Sequence, residues 1–254
     1  MNYQQVIDLV KEAESIIFDE KALNHVISKG LADYVTYVDL GVQHFLQEKL
    51  ASLYPDIAFM GEEDGQNQLD PSGSCWILDP IDGTTNLIHH YHHSAISLAL
   101  YQNGAIVFGA VYNPFTKELF LAQAGYGAYL NGEPIHVSNV VTLEQSLINF
   151  GTAPYQKELA PKNFAIVQSV YEKCQDIRRS GSAALDLCYV ACGRSDAFFE
   201  MTLKPWDYAA GSLILTEAGG KVTDWDGAPL QFAQACSVAG SNGKIHARLL
   251  DEFH

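Results

Sequence analysis

The stretch from Trp76 to Asn86, Trp-Ile-Leu-Asp-Pro-Ile-Asp-Gly-Thr-Thr-Asn, constrains this chain more than any other part of it. An apolar run delivers two carboxylates, Asp79 and Asp82, into a turn stiffened by Pro80 and opened by Gly83. An unpaired carboxylate at low dielectric is costly, so a buried strand that ends in two acids needs a neutralising partner. A hard cation is the simplest one. Mg²⁺ takes oxygen ligands and is usually held by one or two carboxylates plus substrate phosphate. The turn therefore reads as a metal and phosphate site, with Thr84, Thr85 and Asn86 supplying hydroxyl caps and backbone N–H groups for an anion. Two more acidic segments point the same way: Gly61-Glu62-Glu63-Asp64 upstream and Trp206-Asp207 downstream. Taken alone, residues 61–65 read as an ordinary solvated loop.

Bulk properties narrow the partners. The chain has 254 residues, 48% of them hydrophobic, enough for one large domain or two intimately packed lobes. Fifteen basic against thirty acidic residues give a net charge of −15, which repels phosphate backbones and anionic lipid. Nucleic acid is not an expected partner; a small anion arriving with metal is. The five cysteines are odd in number and lie mostly in apolar surroundings, as expected of buried thiols in a reducing cytoplasm. Cys188 and Cys192 share a helix face, but no histidine or second cysteine pair stands nearby, so zinc is not expected. The N-terminus lacks a basic region followed by an apolar core, and no apolar run approaches the ~20 residues needed to span a bilayer. A soluble cytoplasmic protein is the expectation.

Periodicity predicts the elements. Apolar residues at helical spacing, Val6, Ile7, Val10, Ala13, Ile16 and Ile17, predict an amphipathic helix over 4–27. A second helix is expected over 38–53, with Leu40, Phe45, Leu46, Leu50 and Leu53 inward, entered through an extended stretch at 33–39. Strands are expected at 57–60, 75–79, 94–101, 106–112 and 118–123, with a hairpin at Gln102-Asn103-Gly104, where Asn-Gly is a strong turn signal. Past Val140 the grain becomes β/α: strands at 147–150 and 198–200, helices at 162–174, 183–191 and 208–218, the last capped by Gly219-Gly220. Two lobes are expected, an α+β half at 1–145 carrying most metal ligands and an α/β half at 146–254.

Gly61-Glu62-Glu63, the Trp76–Asn86 segment and Trp206-Asp-Tyr-Ala-Ala-Gly-Ser-Leu-Ile-Leu-Thr-Glu-Ala-Gly-Gly220 closely resemble the inositol monophosphatase family of magnesium-dependent, lithium-sensitive phosphatases. The resemblance covers nearly the whole chain. It implies a layered α-β-α-β-α sandwich of the inositol monophosphatase and fructose-1,6-bisphosphatase type, and a homodimer. It also implies that Glu62, Asp79 and the carbonyl of Ile81 bind a first Mg²⁺, and that Asp79, Asp82 and Asp207 bind a second. Glu62 would help hold the attacking water, which Thr84 and Asp39 polarise; Asp39 ends the family's Asp-x-Val-Thr-x-x-Asp segment, with Asp33, Val35 and Thr36 filling the rest. Gly83 and Thr84 would offer N–H groups to the phosphate, and Gly181, Ser182, Ala183 and Glu200 match the family's sugar-side contacts. The family often carries a Lys upstream of Asp33 that closes over a third metal site. Here Ser28 or Lys29 must serve for that ion.

The expected activity is hydrolysis of a phosphate monoester, myo-inositol monophosphate to inositol and phosphate, by metal-activated water in a direct in-line displacement. Two cations ~3.5–4 Å apart can clamp both the attacking and the leaving oxygen. A Ser/His/Asp hydrolase competes on the strength of His89, His90, His92 and His93. No Gly-x-Ser-x-Gly elbow accompanies them, and they read as rim or surface residues. Within the fold, the alternatives are phosphatases of fructose 1,6-bisphosphate, 3′-phosphoadenosine 5′-phosphate or NADP. Glu200 favours a polyol, because a carboxylate accepts hydroxyl hydrogen bonds but repels a second phosphate, whereas Lys204, near Asp207, could pair with one. A non-catalytic partner of the transcription machinery is the alternative from another class.

Overall fold

The computed structural model describes residues 2–19, 26–30, 33–64 and 69–254, with 26–30 and 33–35 as backbone only. The expected helix over 4–27 divides: α1 runs Tyr3–Glu12, α2 is a single turn at Glu14–Ile17, and residues 26–30 form a strand instead. The apolar periodicity that predicted the helix stops at Ile17. The strand, β1 (Val26–Gly30), pairs antiparallel with β2 (Asp33–Thr36), Val26 opposite Thr36. The side chains of Ser28 and Lys29, invoked for a third metal, lie outside the described residues.

Helix α3 (Tyr37–Leu53) starts where Thr36 and Asp39 form a capping box: the Thr36 hydroxyl accepts from the Val38 and Asp39 N–H groups, and Asp39 accepts from Thr36 N–H. Its buried stripe is Val38, Val42, Leu46 and Leu50 at four-residue spacing. Leu40 and Leu53 are exposed and Phe45 is only partly buried, a correction to the inward face read from sequence. The cap at Thr36 fixes the phase of the helix, and that phase turns Leu40 outward.

A seven-stranded sheet follows: β3 (Ala58–Gly61), β4 (Ser74–Asp82), β5 (Ala95–Gln102), β6 (Ala105–Asn113), β7 (Glu118–Gln123), β8 (Ala128–Leu130) and β9 (Glu133–Pro134), in spatial order of sequence. All neighbours are antiparallel except β3 and β4. The β5–β6 hairpin turns at Asn103 and Gly104, both at positive φ, as the Asn-Gly signal predicted. Short helix α4 (Thr84–Ile88) leaves the end of β4.

A second sheet of five strands is ordered β11, β10, β12, β14, β13, comprising β10 (Leu147–Phe150), β11 (Asp176–Arg178), β12 (Ala197–Leu203), β13 (Lys221–Thr223) and β14 (Cys236–Ser241). Its helices are α5 (Ala160–Tyr171), α6 (Ala183–Ala191), α7 (Pro205–Glu217) and α8 (His246–Leu250). Gly219, at φ +89, follows the last turn of α7 and supplies the left-handed conformation expected of its C-terminal glycine pair.

Alternation along the strands sorts side chains into three cores. Trp76, Leu78, Leu98 and Phe108 face α1 and α3, while Ile77, Ala99, Val111 and Phe120 face α6 and α7. In the second sheet Phe198 points to the α6/α7 core and Phe199 to the outer core with α5 and α8. The layers therefore run α-β-α-β-α, with α6 and α7 as the shared middle layer. The connection 135–146 lies between the two sheets, yet α7 packs against strands of both.

Candidate active site

The acids of the Trp76–Asn86 motif sit where β4 loses its regular pairing. Asp79 is opposite Ser97 and Asp82 opposite Ala95, with a register shift between them. Pro80 lacks an N–H, so the ladder must break there and the chain bulges. The bulge turns both carboxylates into the interior, where Asp79 and Asp82 are buried. The Ile81 N–H donates to Asp79 Oδ1 at 2.9 Å. Gly83 then adopts φ +94, and a Cβ there would meet the carbonyl oxygens of Gly181 and His93 at 3.1 Å. Only glycine combines that dihedral with that proximity.

Other elements converge on this turn. Glu62 opens a 3₁₀ turn, Glu62–Asp64, at the end of β3. Gln43 of α3 fastens the turn, accepting from Glu63 N–H at 3.0 Å and donating to Asp64 at 2.8 Å. Its amide lies so close to Gly61 that a Cβ there would be 2.3 Å from its oxygen, which accounts for the glycine before the two glutamates. Asp207 is in the first turn of α7, its Oδ2 accepting from Lys204 N–H at 2.7 Å. The Ser97 hydroxyl donates to the Trp206 carbonyl at 3.1 Å and ties that helix start to β5.

Desolvation raises the pKa of Asp79 well above the ordinary carboxylate range, and the charges of Glu62, Asp82 and Asp207 add to it. Asp207 is raised for the same reasons, burial first and then Glu62 and Asp82. Glu62 raises Asp79 twice over, through its charge and through a hydrogen bond between the two side chains. Asp82 is pushed up to about 6 by burial, against the pull of hydrogen bonds from Ser182 and from the Ala183 and Ala184 backbone. Among the described residues no three acids, histidines or cysteines are already set as a metal cage. They stand instead as neighbours whose charges repel. An oxygen-only donor set of this kind suits Mg²⁺, and a cation would relieve the repulsion among the carboxylates.

Asp39 and Thr84 meet beside the acids. The Thr84 hydroxyl lies 3.0 Å from Asp39 Oδ1 and 3.1 Å from the Ile81 carbonyl, either of which can accept its proton. Asp39 is fully buried, and desolvation raises its pKa to about 6.

The second half supplies the rest. Ser182 caps α6, accepting from Leu185 N–H, and its hydroxyl donates to Asp82 Oδ2 at 2.6 Å. The Ala184 N–H donates to the same oxygen at 2.7 Å. All four expected sugar-side residues, Gly181, Ser182, Ala183 and Glu200, line a cavity of about 400 Å³ with Asp82, Thr84 and Asp207, and the Ser182 hydroxyl is committed to Asp82. Glu200 Oε1 accepts from Ala153 N–H at 2.8 Å, and burial pushes its carboxyl up to about 7.

Lys204 does not reach this cavity. It is exposed and borders a separate hollow with Met60, Trp206 and Gln234. Its N-cap position directs the backbone toward Asp207 and its side chain elsewhere. The cavity's basic residues are Arg179 and Lys157, which sequence reasoning passed over. The doubled Arg178-Arg179, in a chain with fifteen basic residues and one residue before Gly181-Ser182, was the available signal. Asp186 was also missed: it is buried, held by Asn149 and Ser180, and raised well above its ordinary pKa by desolvation.

The histidines divide. His89, His90 and His92 are exposed, with His89 at the cavity wall and His92 stacked on Phe115. His93 is half-buried against Tyr189, its Nε2 without a partner among the described residues. His246 bonds the Thr223 and Ser241 hydroxyls, but all three are buried and none lines the cavity. All five cysteines are free, with Cys174, Cys192 and Cys236 partly exposed. No helix among the described residues is long and apolar enough to cross a membrane.

Residues 2–254 match the model of the inositol monophosphatase family. An inositol-1-monophosphatase of Synechocystis sp. is 40% identical over 228 residues, covering 89% of this chain and 79% of the relative. A protein of Xylella fastidiosa named Nus factor SuhB is 39% identical over 226 residues, covering 87% of this chain and 82% of its own length. The solved structure of an IMPase from Thermotoga maritima superposes with a TM-score of 0.90 at 32% identity, covering 100% of this chain and 97% of that one.

Proposed function

The chain belongs to the inositol monophosphatase family, and we propose that it hydrolyses myo-inositol monophosphate to inositol and phosphate, with two Mg²⁺ ions and a water as nucleophile. One observation carries the reading: Asp79, Asp82 and Asp207 crowd together with Glu62 in a buried site that opens on the cavity, beside the Thr84–Asp39 pair. Four carboxylates in one desolvated place repel one another unless cations join them. When bound, Mg²⁺ supplies neutralisation of the phosphoryl oxygens and of the departing alkoxide.

Glu62, Asp79 and the Ile81 carbonyl would hold one ion; Asp79, Asp82 and Asp207 would hold the other. Thr84, donating to Asp39, has lone pairs left to accept a hydrogen bond from the attacking water and so to orient it. A carboxyl with a pKa of about 6 lets Asp39 take a proton relayed through that hydroxyl near neutral pH. Gly83 and Thr84 offer backbone N–H groups to the phosphate, and Glu200 with the 181–183 segment borders the space for the polyol. The protein acts as a homodimer in the cytoplasm and is inhibited by Li⁺ on this reading, as the family resemblance implies.

The Xylella relative's name, Nus factor, favours a second reading as a partner of the transcription machinery. Asp79→Asn separates the two, since chemistry needs that carboxylate and a binding surface does not. The direct test is phosphate release from a panel of monoesters with Mg²⁺. Turnover of inositol monophosphate ahead of the rest supports the proposal, and no release from any ester contradicts it.

A further inference from the structure

Asp186 is a buried acid that the proposed chemistry does not use. It lies in the first turn of α6, 2% exposed, between the buried Leu185 and Leu187. The N-terminal end of a helix favours a negative charge, but by less than burial costs it. The charges of Asp82 and Glu200, of the same sign, oppose it further. For stability alone an apolar residue of similar volume serves such a place as well or better. What the carboxylate supplies, and an apolar side chain does not, is its pair of hydrogen bonds.

Those bonds lead to the metal centre. Asp186 Oδ1 accepts from Asn149 Nδ2 at 2.8 Å, and Oδ2 accepts from the Ser180 hydroxyl at 2.7 Å. Asn149 stands on β10 and also donates to the Ser195 hydroxyl at 3.2 Å, so one side of the carboxylate is anchored in the second sheet. On the other side, Ser180 Oγ accepts from Ser182 N–H at 3.3 Å, while the Ser180 carbonyl accepts from Asn86 Nδ2 of α4 at 3.0 Å. Between the two serines Gly181 takes φ +96, and its carbonyl oxygen would lie 3.1 Å from a Cβ on Gly83. The 180–182 turn is thus seated on the turn that offers N–H groups to the phosphate. Ser182 then donates to Asp82 at 2.6 Å. A continuous file of hydrogen bonds runs from β10 through Asp186, Ser180 and Ser182 to Asp82, and such a file can carry coupling between its ends.

We propose that Asp186 is a positioning residue for the metal centre: by holding Ser180 it sets the 180–182 turn from which Ser182 reaches Asp82, and so fixes how tightly that centre binds Mg²⁺. It acts through the turn and not on the substrate, since both of its oxygens are engaged by protein groups. This role rests on the assignment of Asp82 to a Mg²⁺ site made above.

The test is a double-mutant cycle of Asp186→Asn and Ser180→Ala. Asp186→Asn keeps the shape and removes the charged acceptor; Ser180→Ala removes the hydroxyl, changes no charge, and leaves the carbonyl that Asn86 bonds. The Mg²⁺ dissociation constant is measured by calorimetry without substrate, thermal melts are recorded in chelator, and the rate on myo-inositol 1-phosphate is followed as Mg²⁺ is raised. Each single variant should weaken Mg²⁺ binding about fivefold, the worth of one hydrogen bond, and the double variant no more than the weaker single. The Mg²⁺ needed for half-maximal rate should rise by the same factor, with kcat at saturating Mg²⁺ within about twofold of the wild type. Unchanged Mg²⁺ affinity beside a lowered Tm would reduce Asp186 to a part of the fold and overturn the proposal. So would weakening by Asp186→Asn alone, which is plain loss of charge, or losses that multiply in the double variant, or a wild type that binds no Mg²⁺. If Mg²⁺ binds but no ester is turned over, the phosphatase reading fails by itself, and the calorimetric cycle still decides the role of Asp186.

Discussion

Ser182→Ala tests how far the second half of the chain organises the acids of the first. Ser182 is 1% exposed, its hydroxyl donating to Asp82 at 2.6 Å and accepting from Leu185 N–H at 3.3 Å. Losing a buried hydrogen bond to a charged group costs about 1.5–3 kcal/mol, and losing an N-cap about 1 kcal/mol, less when the bond is long. Asp82 keeps the Ala184 N–H, so it is not stranded, and the lower part of that range applies. The net expectation is about 2–3 kcal/mol, or about 5–10 °C in Tm for a chain of this size. Without the Ser182 donor the Asp82 pKa rises further, so Mg²⁺ affinity should fall more at pH 6 than at pH 8. Urea unfolding in chelator and Mg²⁺ titration at the two pH values read both effects. A loss under ~0.5 kcal/mol with unchanged Mg²⁺ affinity would refute the contact's role, since even a modest charged hydrogen bond exceeds that.

Three more outcomes are expected. Asp39, Asp82 and Glu200 hold their protons more tightly folded than unfolded, with folded values of about 6, 6 and 7 against ordinary values of 3.8, 3.8 and 4.5. Metal-free protein therefore loses stability as pH rises from about 4 through 7, and thermal melts in chelator should show a lower Tm at pH 7.5 than at pH 5, with Mg²⁺ restoring more at pH 7.5; a rising Tm without metal contradicts this. Asp207→Asn should cost ~10²-fold or more in turnover, as single electrostatic groups in active sites do, while Glu200→Gln keeps an acceptor oxygen for Ala153 N–H and shifts mainly the preference among esters. Equal losses on every substrate would put Glu200 among the groups that touch the reacting atoms. Li⁺ should inhibit uncompetitively in initial-rate grids with NaCl as control, a pattern that follows from occupation of the Asp79, Asp82 and Asp207 site after cleavage; a competitive pattern speaks against it.

Much of this was legible in the sequence because it is local. The strand Glu118–Gln123 and the helix Ala183–Ala191 fall at the expected residues, the Asn103-Gly104 turn forms as its dihedral preference requires, and the five-layer sandwich follows from the motif resemblance. What stayed hidden depends on distant partners. Residues 26–30 pair with β2 instead of extending the first helix, because strand pairing overrides weak helical periodicity. The outward turn of Leu40 was set by a cap at Thr36 that hydropathy does not weigh. Arg179 had only its doubling with Arg178 near Gly181-Ser182 as a signal, and it is the return of the chain from β11 to α6 that brings it to the cavity wall beside Glu200 and Thr152. Lys204 erred the other way, since nearness to Asp207 in sequence did not put its side chain in the same hollow.

The central claim is that Asp79, Asp82, Asp207 and Glu62 form one Mg²⁺-dependent hydrolytic centre. The most direct measurement is phosphate released from myo-inositol 1-phosphate by the wild type and Asp79→Asn, before and after chelation and after Mg²⁺ is restored. The account predicts turnover by the wild type that vanishes on chelation and returns with Mg²⁺, and none by Asp79→Asn, with its fold intact by circular dichroism. Full turnover by exhaustively chelated wild type, or by folded Asp79→Asn, would contradict it.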